Sequence, residues 1–530
     1  MTSNSDIARA YDEAFYESTA FLQTHPETLA GIALLFGIQP SNPAHCRVLE
    51  IGSALGDNLI PMALNAPDSQ FVGVDISTRQ VDEAATRAAQ LGLKNIRFYS
   101  GSIEHLPDSA GPFDYIVCHG VFSWVPQEVQ QAILSRCKAL LAPQGILYVS
   151  YNTYPGWHFR DYIKHAIQFN GKKASSTDEK YEALKDIVTL LSRHAVQTPA
   201  FPARGIFETF SKQLESLPKS YLVHEYYEPF NIPLYVSEFM QLIEKHELQY
   251  VGEAMLSDNF LLSDQAELRQ SLLDKSTSRG EYEQYLDLII SRGFRSSLVT
   301  HKGLAVNANI HPDRIRPFYF MSDLKPLDNR VPEDNTRPVR FKSADKSREV
   351  KATSPLTKAA LYCLSQAWPL GFNFNDLVHQ AYRILRRDIT QADIEDVKQQ
   401  ATSLCQDMLD IYAKGQLPCL RVTPPLCTNQ ISNQPLLSPL ARTQIQRGGQ
   451  QLTSQLHATV KMDALSQQIA LLCTGTNTQD EIVNATEQLI KNEGKALGLN
   501  ADSCRKPRQS AEKAVDMVLE MLRAQALLVG

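Results

Sequence analysis

Apolar and polar positions change their period several times along this chain. From Cys46 to Ser150 short β-branched runs alternate with stretches of helical period. CRVLEIG, QFVGVD, NIRFYS, FDYIVCH and GILYVSY predict strands, each bounded by turn residues, with helices starting near Asp57, Thr78 and Gln127. Strands that alternate with helices imply parallel pairing through crossover helices, hence a doubly wound α/β sheet. Such a sheet places a ligand crevice at the carboxyl ends of its strands.

Over residues 158–290 the helical period takes over. Helices are predicted at His158–Asn170, Ser176–Arg193, Ile206–Glu215, Tyr235–His246 and Gly280–Ser291, interrupted by the aromatic-acidic stretch HEYYEPF. QYVGEA at 249–254 and FRSSLVTH at 294–301 are β-type runs suited to return as the last strands of the same sheet. The helices between would then lie over the crevice; a separate helical domain is the alternative. Residues 304–352, rich in Pro, Asp and Arg, predict a polar connection. The C-terminal third carries a weak duplication, LTKAALYCLSQAWP onward and DALSQQIALLCTG onward, each three helices and a β-type tail. That is the order of a winged-helix unit. The expected organisation is a helical cap over 1–40, a sheet core over 41–157, and a helical region with returning strands over 158–303. A linker over 304–352 and winged-helix-like units at 353–430 and 431–530 follow.

Composition narrows the class. A chain of 530 residues with 43% hydrophobic and 21% charged residues needs several cores and is not a disordered or fibrous protein. Lys+Arg 52 against Asp+Glu 58 leaves a net charge of −6, and the third helix of the first repeat is acidic (ADIEDVKQQ). No nucleic-acid partner is therefore expected, because phosphate contacts need a Lys/Arg-rich face. No apolar run reaches the ~20 residues of a membrane-crossing helix, so membrane insertion is not expected either. The start, MTSNSDIARAYDEAF, lacks the basic-then-apolar order of a secretory signal. Nine scattered cysteines without a C-x-x-C pair suit a reducing compartment, and the expectation is a cytoplasmic protein with neither a zinc site nor another metal.

Candidate chemistry is concentrated where the first strand turns into the first helix, Val48-Leu49-Glu50-Ile51-Gly52-Ser53-Ala54-Leu55-Gly56-Asp57-Asn58. A dinucleotide loop needs G-x-G-x-x-G; from Gly52 that demands glycine at 54 and 57, where Ala54 and Asp57 stand. The carboxylate of Asp57 would also meet a pyrophosphate with like charge. The segment is instead similar to the E-x-G-x-G-x-G loop of class I methyltransferases, with Ala54 in place of the middle glycine.

That resemblance implies a Rossmann-like class I methyltransferase sheet with a helical insertion, mainly helical winged-helix-like C-terminal domains, and S-adenosyl-L-methionine as cofactor. Gly52, Ala54, Gly56 and Asn58 would form the loop around it. Glu50 would partner the methionine ammonium, and Asp75, 25 residues after Glu50, would accept the ribose hydroxyls. Ile76 would pack on the adenine, with Ile103 and Ser102 beside it; Ser102 stands where many methyltransferases carry an aspartate. His119 and, from the N-terminal helix, Tyr11 would touch or cover the cofactor. Tyr16 of the same helix would cover the cofactor with Tyr11, and packing in the helix core is the competing account of both.

YDEAFYES, THPETLAGIALLFG, DNLIPMA, HGVFSWVP, YNTYPGW and QYLDLIISRGFRSSLVTH together resemble the methyltransferases that carry a methyltransferase regulatory domain. Within that family, the length and the C-terminal region are similar to the rickettsial-type protein-lysine methyltransferases that modify outer-membrane protein B. Asp57, where a second glycine is usual, and Ser53, where cysteine is common, depart from the pattern.

Methyl transfer from a sulfonium is an in-line displacement, so the protein mainly positions a neutral nucleophile opposite the leaving sulfur. Tyr151 to Trp157 (YNTYPGW) supplies candidates: Asn152 as an acceptor, Tyr154 as a hydroxyl and Trp157 as a wall, with His119 as a proton acceptor. A turn with core aromatics and a structural histidine are the competing accounts. His224, Glu225, Tyr226 and Glu228, with Tyr151, are candidates for holding a basic substrate; a solvated surface is the alternative for HEYYE. The expected function is methylation of protein lysines, with an accessible-lysine protein as partner and a homodimer allowed. A small-molecule or nucleic-acid methyltransferase, or a non-catalytic cofactor-sensing protein, are the alternatives.

Overall fold

Seven strands form one sheet in the order β3-β2-β1-β4-β5-β7-β6. They are β1 (Arg47–Ile51), β2 (Gln70–Asp75), β3 (Ile96–Ser100), β4 (Phe113–Cys118), β5 (Leu141–Asn152), β6 (Leu248–Glu253) and β7 (Phe294–His301). The structure is a computed structural model and describes residues 19–198, 204–228, 230–260, 265–390, 393–494 and 496–529. β1 to β5 pair in parallel, and β7 runs antiparallel to both β5 and β6. The order reverses between β1 and β4, so the crevice opens beyond the carboxyl ends of those two strands.

Both faces of the sheet are covered, which is why its strands read as nearly unbroken apolar runs. Val48, Tyr115, Val117, Ile146 and Tyr148 face one core, while Leu49, Ile116, Cys118, Leu147 and Val149 face another. A buried Arg295 staples the last two strands. Its guanidinium donates to Glu253 at 2.6 Å, Glu283 at 2.9 Å and Asp287 at 2.8 Å. Removing one partner of such a cluster leaves an uncompensated buried charge.

The two returning strands are part of the sheet, so the helices of 156–245 are an insertion between β5 and β6. Four of them (Gly156–Asn170, Thr177–Gln197, Arg204–Ser216 and Lys219–Tyr227) share a core of Ile163, Ile167, Leu184, Val188, Phe207, Phe210, Leu222 and Tyr226. Ser176 and Glu179 form a capping box at the start of the second, which fixes where that helix begins. HEYYEPF does not interrupt the helices as expected: His224 to Tyr227 are the last turn of Lys219–Tyr227. Tyr226 faces the core at that point, and its burial outweighs the modest helix propensity of the aromatic pair.

Residues 304–352 are also more than a linker. Ile315, Phe318, Phe320, Met321, Leu324 and Phe341 are fully buried. The segment Tyr319–Met321 is the middle strand of a small sheet with 372–373 and Cys419–Arg421. The charged residues that suggested a connection alternate with these apolar ones and face outward. The first winged-helix-like unit, with helices Pro355–Ala367, Phe374–Ile384 and Ile394–Ala413, thereby shares one core with the sheet and with helix Pro26–Leu35. Glu27 of that helix binds the strand exit beyond Arg421: it accepts from Val422 N at 2.6 Å and Thr423 N at 3.1 Å.

The last unit has its own core, including Ile469, Ile482, Val515 and Leu522. Its hairpin, Gln451–Thr453 with Thr459–Lys461, precedes the three longer helices instead of following them, and the expected β-type tail contributes one bridge, Leu437 to Leu528. Among the described residues no helix is long and apolar enough to cross a membrane, and no group of His, Cys, Asp and Glu is arranged to hold a metal ion.

Candidate functional site

The loop after β1 is built on left-handed backbone. Gly52 and Gly56 both have φ +76, and Ala54 between them has φ +44. A Cβ on Gly52 would stand 2.4 Å from Val121, and one on Gly56 2.8 Å from Phe98, so neither position accepts a larger residue. Ala54 tolerates its conformation because its N–H donates to Asp75 Oδ2 at 2.8 Å. The other carboxylate oxygen of Asp75 accepts from Ser77 N at 2.9 Å. The loop and the end of β2 are thus one hydrogen-bonded unit.

Glu50, one residue before the end of β1, is 5% exposed. Its Oε1 accepts from Asn58 Nδ2 at 2.6 Å, while Oε2 is buried with no partner among the described residues. Burial pushes this carboxyl up to about 8, against the pull of the Asn58 hydrogen bond. A buried acceptor without a donor is costly unless a ligand supplies one.

Glu50 and Asp75 line a cavity of about 490 Å³ together with Gly52, Ala54, Ile76, Gln80, Ser102 and Ile103. Ser102 spends its hydroxyl locally, accepting from Glu104 N at 3.3 Å and donating to Glu104 Oε2 at 3.0 Å. His119, just after β4, also lines the cavity. Its Nδ1 is 2.9 Å from Tyr148 Oη, its ring lies 4.2 Å from that of Phe21, and burial lowers its pKa to about 4. It is therefore a neutral imidazole at physiological pH.

The far end of the same cavity is lined by Trp124, Asn152, Arg160, Tyr221, His224, Glu225 and Phe294. Glu225 is buried, which raises its pKa; the Arg160 guanidinium, 3.2 Å from Oε1, opposes the rise. His224 Nδ1 lies 3.0 Å from Glu228 Oε1, and its ring faces Trp124 at 5.4 Å. Asn152 is held by Ser123 through its backbone N–H (2.8 Å) and by Asn231 through Nδ2 (2.8 Å). The cavity thus joins a carboxylate-lined end on the sheet to an aromatic and acidic end that the helical insertion (Arg160, Tyr221, His224, Glu225) shares with Trp124 after β4, Asn152 of β5 and Phe294 of β7.

Comparison with known proteins describes three parts of the chain in the same terms. Residues 42–210 match the family described as "Methyltransferase domain", residues 218–301 the "Predicted methyltransferase regulatory domain", and residues 433–527 the "PKMT, C-terminal winged helix domain". The uncharacterized protein RP789 of Rickettsia prowazekii (strain Madrid E) is 34% identical over 375 residues, 70% of this chain and 68% of that protein. The chain belongs to this regulatory-domain family of S-adenosylmethionine-dependent methyltransferases. A second protein of that organism, RP028, is 34% identical over 236 residues, 44% of this methyltransferase and 94% of its relative. PKMT2 from Rickettsia typhi, solved in complex with AdoHcy, is similar in structure with a TM-score of 0.85 and 26% identity, covering 97% of this methyltransferase and 100% of that chain.

S-adenosylmethionine fits the residues present: the donorless Glu50 Oε2 suits its ammonium, and the carboxylate of Asp75 at the end of β2 suits its ribose hydroxyls. Of the residues expected around it, Glu50, Gly52, Ala54, Asp75, Ile76, Ser102, Ile103 and His119 line the cavity. Asn58 does not; it lies behind Glu50 and orients it. Gly56 also lies behind the lining, against Phe98 and Ile60. Tyr11 and Tyr16 fall outside the described residues.

The expectations for YNTYPGW are largely corrected. Of its members only Asn152 lines the cavity. Tyr151 points to the opposite face of β5, as strand alternation requires, and stacks on Phe239 at 4.2 Å. Tyr154 stacks on His158 at 4.0 Å and donates to Asp161 at 3.3 Å. Trp157 is 1% exposed and meets Trp124 edge-on at 6.4 Å, so it backs the wall and does not face the ligand. Tyr226 belongs to the insertion core and Glu228 reaches the site only through His224. The residues missed include Phe21, Gln80, Trp124, Arg160, Tyr221 and Phe294. Trp124 stood in the noted HGVFSWVP and Phe294 at the head of the noted FRSSLVTH; Phe21, Gln80, Arg160 and Tyr221 carried no local signal.

Proposed function

We propose that this methyltransferase acts on lysine side chains of proteins. The observation that carries the reading is the single cavity with Glu50 and Asp75 at one end and Glu225, His224, Trp124 and Tyr221 at the other. S-adenosylmethionine supplies an electrophilic methyl group and leaves as the neutral thioether S-adenosylhomocysteine. The chain's own residues must admit a cationic side chain and make its nitrogen neutral before transfer. Trp124, Tyr221 and Phe294 give apolar surface for the aliphatic stem and π-faces for the cation. Glu225 is a buried carboxylate whose proton affinity is raised, suited to take a proton from the incoming ammonium and leave a lone pair free. Neutral His119 and Asn152 offer polar atoms in the same cavity without adding a competing positive charge.

The domain layout supports a large acceptor. The helical insertion and the first winged-helix unit lie beyond what cofactor binding needs, and the net charge of −6 suits a basic polypeptide better than a nucleic acid. The solved neighbour PKMT2 bound AdoHcy, and residues 433–527 of this chain match the family described as "PKMT, C-terminal winged helix domain". The test is incubation of the full chain with methyl-labelled S-adenosylmethionine and a fractionated lysate, followed by acid hydrolysis. Label recovered as methyl-lysine supports the reading. Label only in small molecules or nucleic acid, or no transfer by a protein that binds the cofactor, overturns it.

A further inference from the structure

The tip of the last hairpin is inserted into the methyltransferase domain. His457, between strands Gln451–Thr453 and Thr459–Lys461, is 1% exposed and has φ +60. The turn is rigid: His457 N donates to Ser454 O at 2.9 Å, Ser454 N donates to Ala458 O at 2.9 Å, and Gln455 N donates to Ala526 O at 3.0 Å. From this turn His457 Nε2 reaches Asn58 Oδ1 at 2.9 Å, 399 positions away in sequence.

Asn58 is fully committed. Its Oδ1 also accepts from Phe21 N at 2.9 Å, and its Nδ2 donates to Thr24 Oγ1 at 2.9 Å and to Glu50 Oε1 at 2.6 Å. Because the Phe21 N–H can only donate, it fixes which end of the amide is the carbonyl. His457 must then donate from Nε2, and Asn58 must turn its NH₂ toward Glu50. His457 Nδ1 is buried without a partner among the described residues, the tautomer this arrangement demands. The same tip packs edge-on against His25 at 4.8 Å, next to the segment whose Phe21 lines the cavity.

We infer that the C-terminal winged-helix domain is a working part of the cofactor site: His457 is a positioning residue that acts through Asn58 to hold Glu50 toward the amino-acid end of the cofactor. The inference rests on the placement of the methionine ammonium at Glu50. It is independent of the identity of the acceptor. The hairpin is an element that winged-helix proteins can present to other molecules; here its tip is sequestered in the enzyme itself. A coupling of this kind is reciprocal, so cofactor binding in turn strengthens the seating of the C-terminal domain.

The experiment is calorimetric titration of the full chain with two probes, S-adenosylhomocysteine and 5′-methylthioadenosine, which shares the adenosine and lacks the amino-acid end. His457→Asn keeps a residue that tolerates positive φ but is too short to reach Asn58; His457→Gln places an amide donor near the position of Nε2. H457N should weaken S-adenosylhomocysteine about five- to tenfold and leave 5′-methylthioadenosine within about twofold; H457Q should restore the first affinity. Equal loss for both probes, no loss for H457N, or no rescue by H457Q overturns the inference. Glu50→Gln separates the underlying placement. If E50Q binds S-adenosylhomocysteine as the parent does, the ammonium is not at Glu50. If E50Q weakens binding and the E50Q/H457N double variant is no weaker, His457 acts through Glu50; additive losses overturn that route. Should H457N not fold, the E50Q arm and H457Q with both probes still decide it: a parent-like H457Q supports the donor role, and a weakened one refutes it.

Discussion

The backbone N–H of Ala54 donates to the side chain of Asp75 across 2.8 Å, and this bond holds Ala54 at φ +44. The E-x-G-x-G-x-G pattern that this loop resembles has glycine there, and the physical reason is visible: the left-handed region costs an L-residue roughly 1–2 kcal/mol. Ala54→Gly should remove that strain and add some unfolded-state entropy, for a net gain of about 0.5 kcal/mol. Thermal unfolding with and without S-adenosylhomocysteine checks it. A fall in the melting temperature would show that the alanine methyl contributes more by packing than its backbone costs.

Asp75 has two duties at the same atoms, anchoring the loop and facing the cavity. Asp75→Ala should weaken S-adenosylhomocysteine by about tenfold or more, since charged hydrogen bonds contribute roughly 1.5–3 kcal/mol. Ala54 N–H and Ser77 N–H also lose their acceptor, so the melting temperature should drop as well. Unchanged affinity at calorimetry would refute the ribose role.

How much of this was legible in the chain divides along a physical line. The sheet was, because parallel strands buried on both faces leave continuous apolar runs bounded by turns, and Glu50, Gly52 and Asp75 sit at fixed offsets from their ends. The acceptor end was not. YNTYPGW was read as one unit, although strand alternation at β5 sends Tyr151 and Asn152 to opposite faces and helix Gly156–Asn170 turns Trp157 behind the wall. Arg160 and Glu225 meet only because the insertion folds back, and nothing local encodes that. His457 is a stronger case: its partner lies 399 positions away, and a lone histidine in a turn has no distinguishing pattern.

The raised pKa of Glu50, about 8, has two consequences of opposite sign. In the free protein the folded state keeps a proton that the unfolded chain has already lost above its ordinary value of 4.5, so Glu50 lowers stability as pH rises from there to about 8. A cofactor ammonium beside Oε2 favours the carboxylate, so binding near pH 7 should release close to one proton and tighten as pH approaches 8. Titration with S-adenosylhomocysteine in buffers of different ionisation enthalpy measures that proton. Release by the parent and none by E50Q is the expected result; equal release by both would assign the proton elsewhere.

Glu225 and Tyr154 make a matched pair of tests for the acceptor end, because Tyr154 was a catalytic candidate and Glu225 a substrate-holding one, and the structure separates them. Glu225 lines the cavity, buried beside Arg160; Tyr154 is spent on His158 and Asp161 outside it. Glu225→Gln keeps shape and a hydrogen-bonding oxygen but cannot take a proton from an incoming ammonium. Turnover with a protein acceptor should fall about a hundredfold, in the range of a lost proton acceptor, with S-adenosylhomocysteine affinity within about twofold of the parent. Raising the pH should recover part of the loss, since free lysine is increasingly neutral above physiological pH. Tyr154→Phe removes only the bond to Asp161 and should leave turnover within about twofold. If Y154F is the slow variant and E225Q the normal one, transfer occurs at the YNTYPGW turn and not at the end of the cavity formed by the insertion.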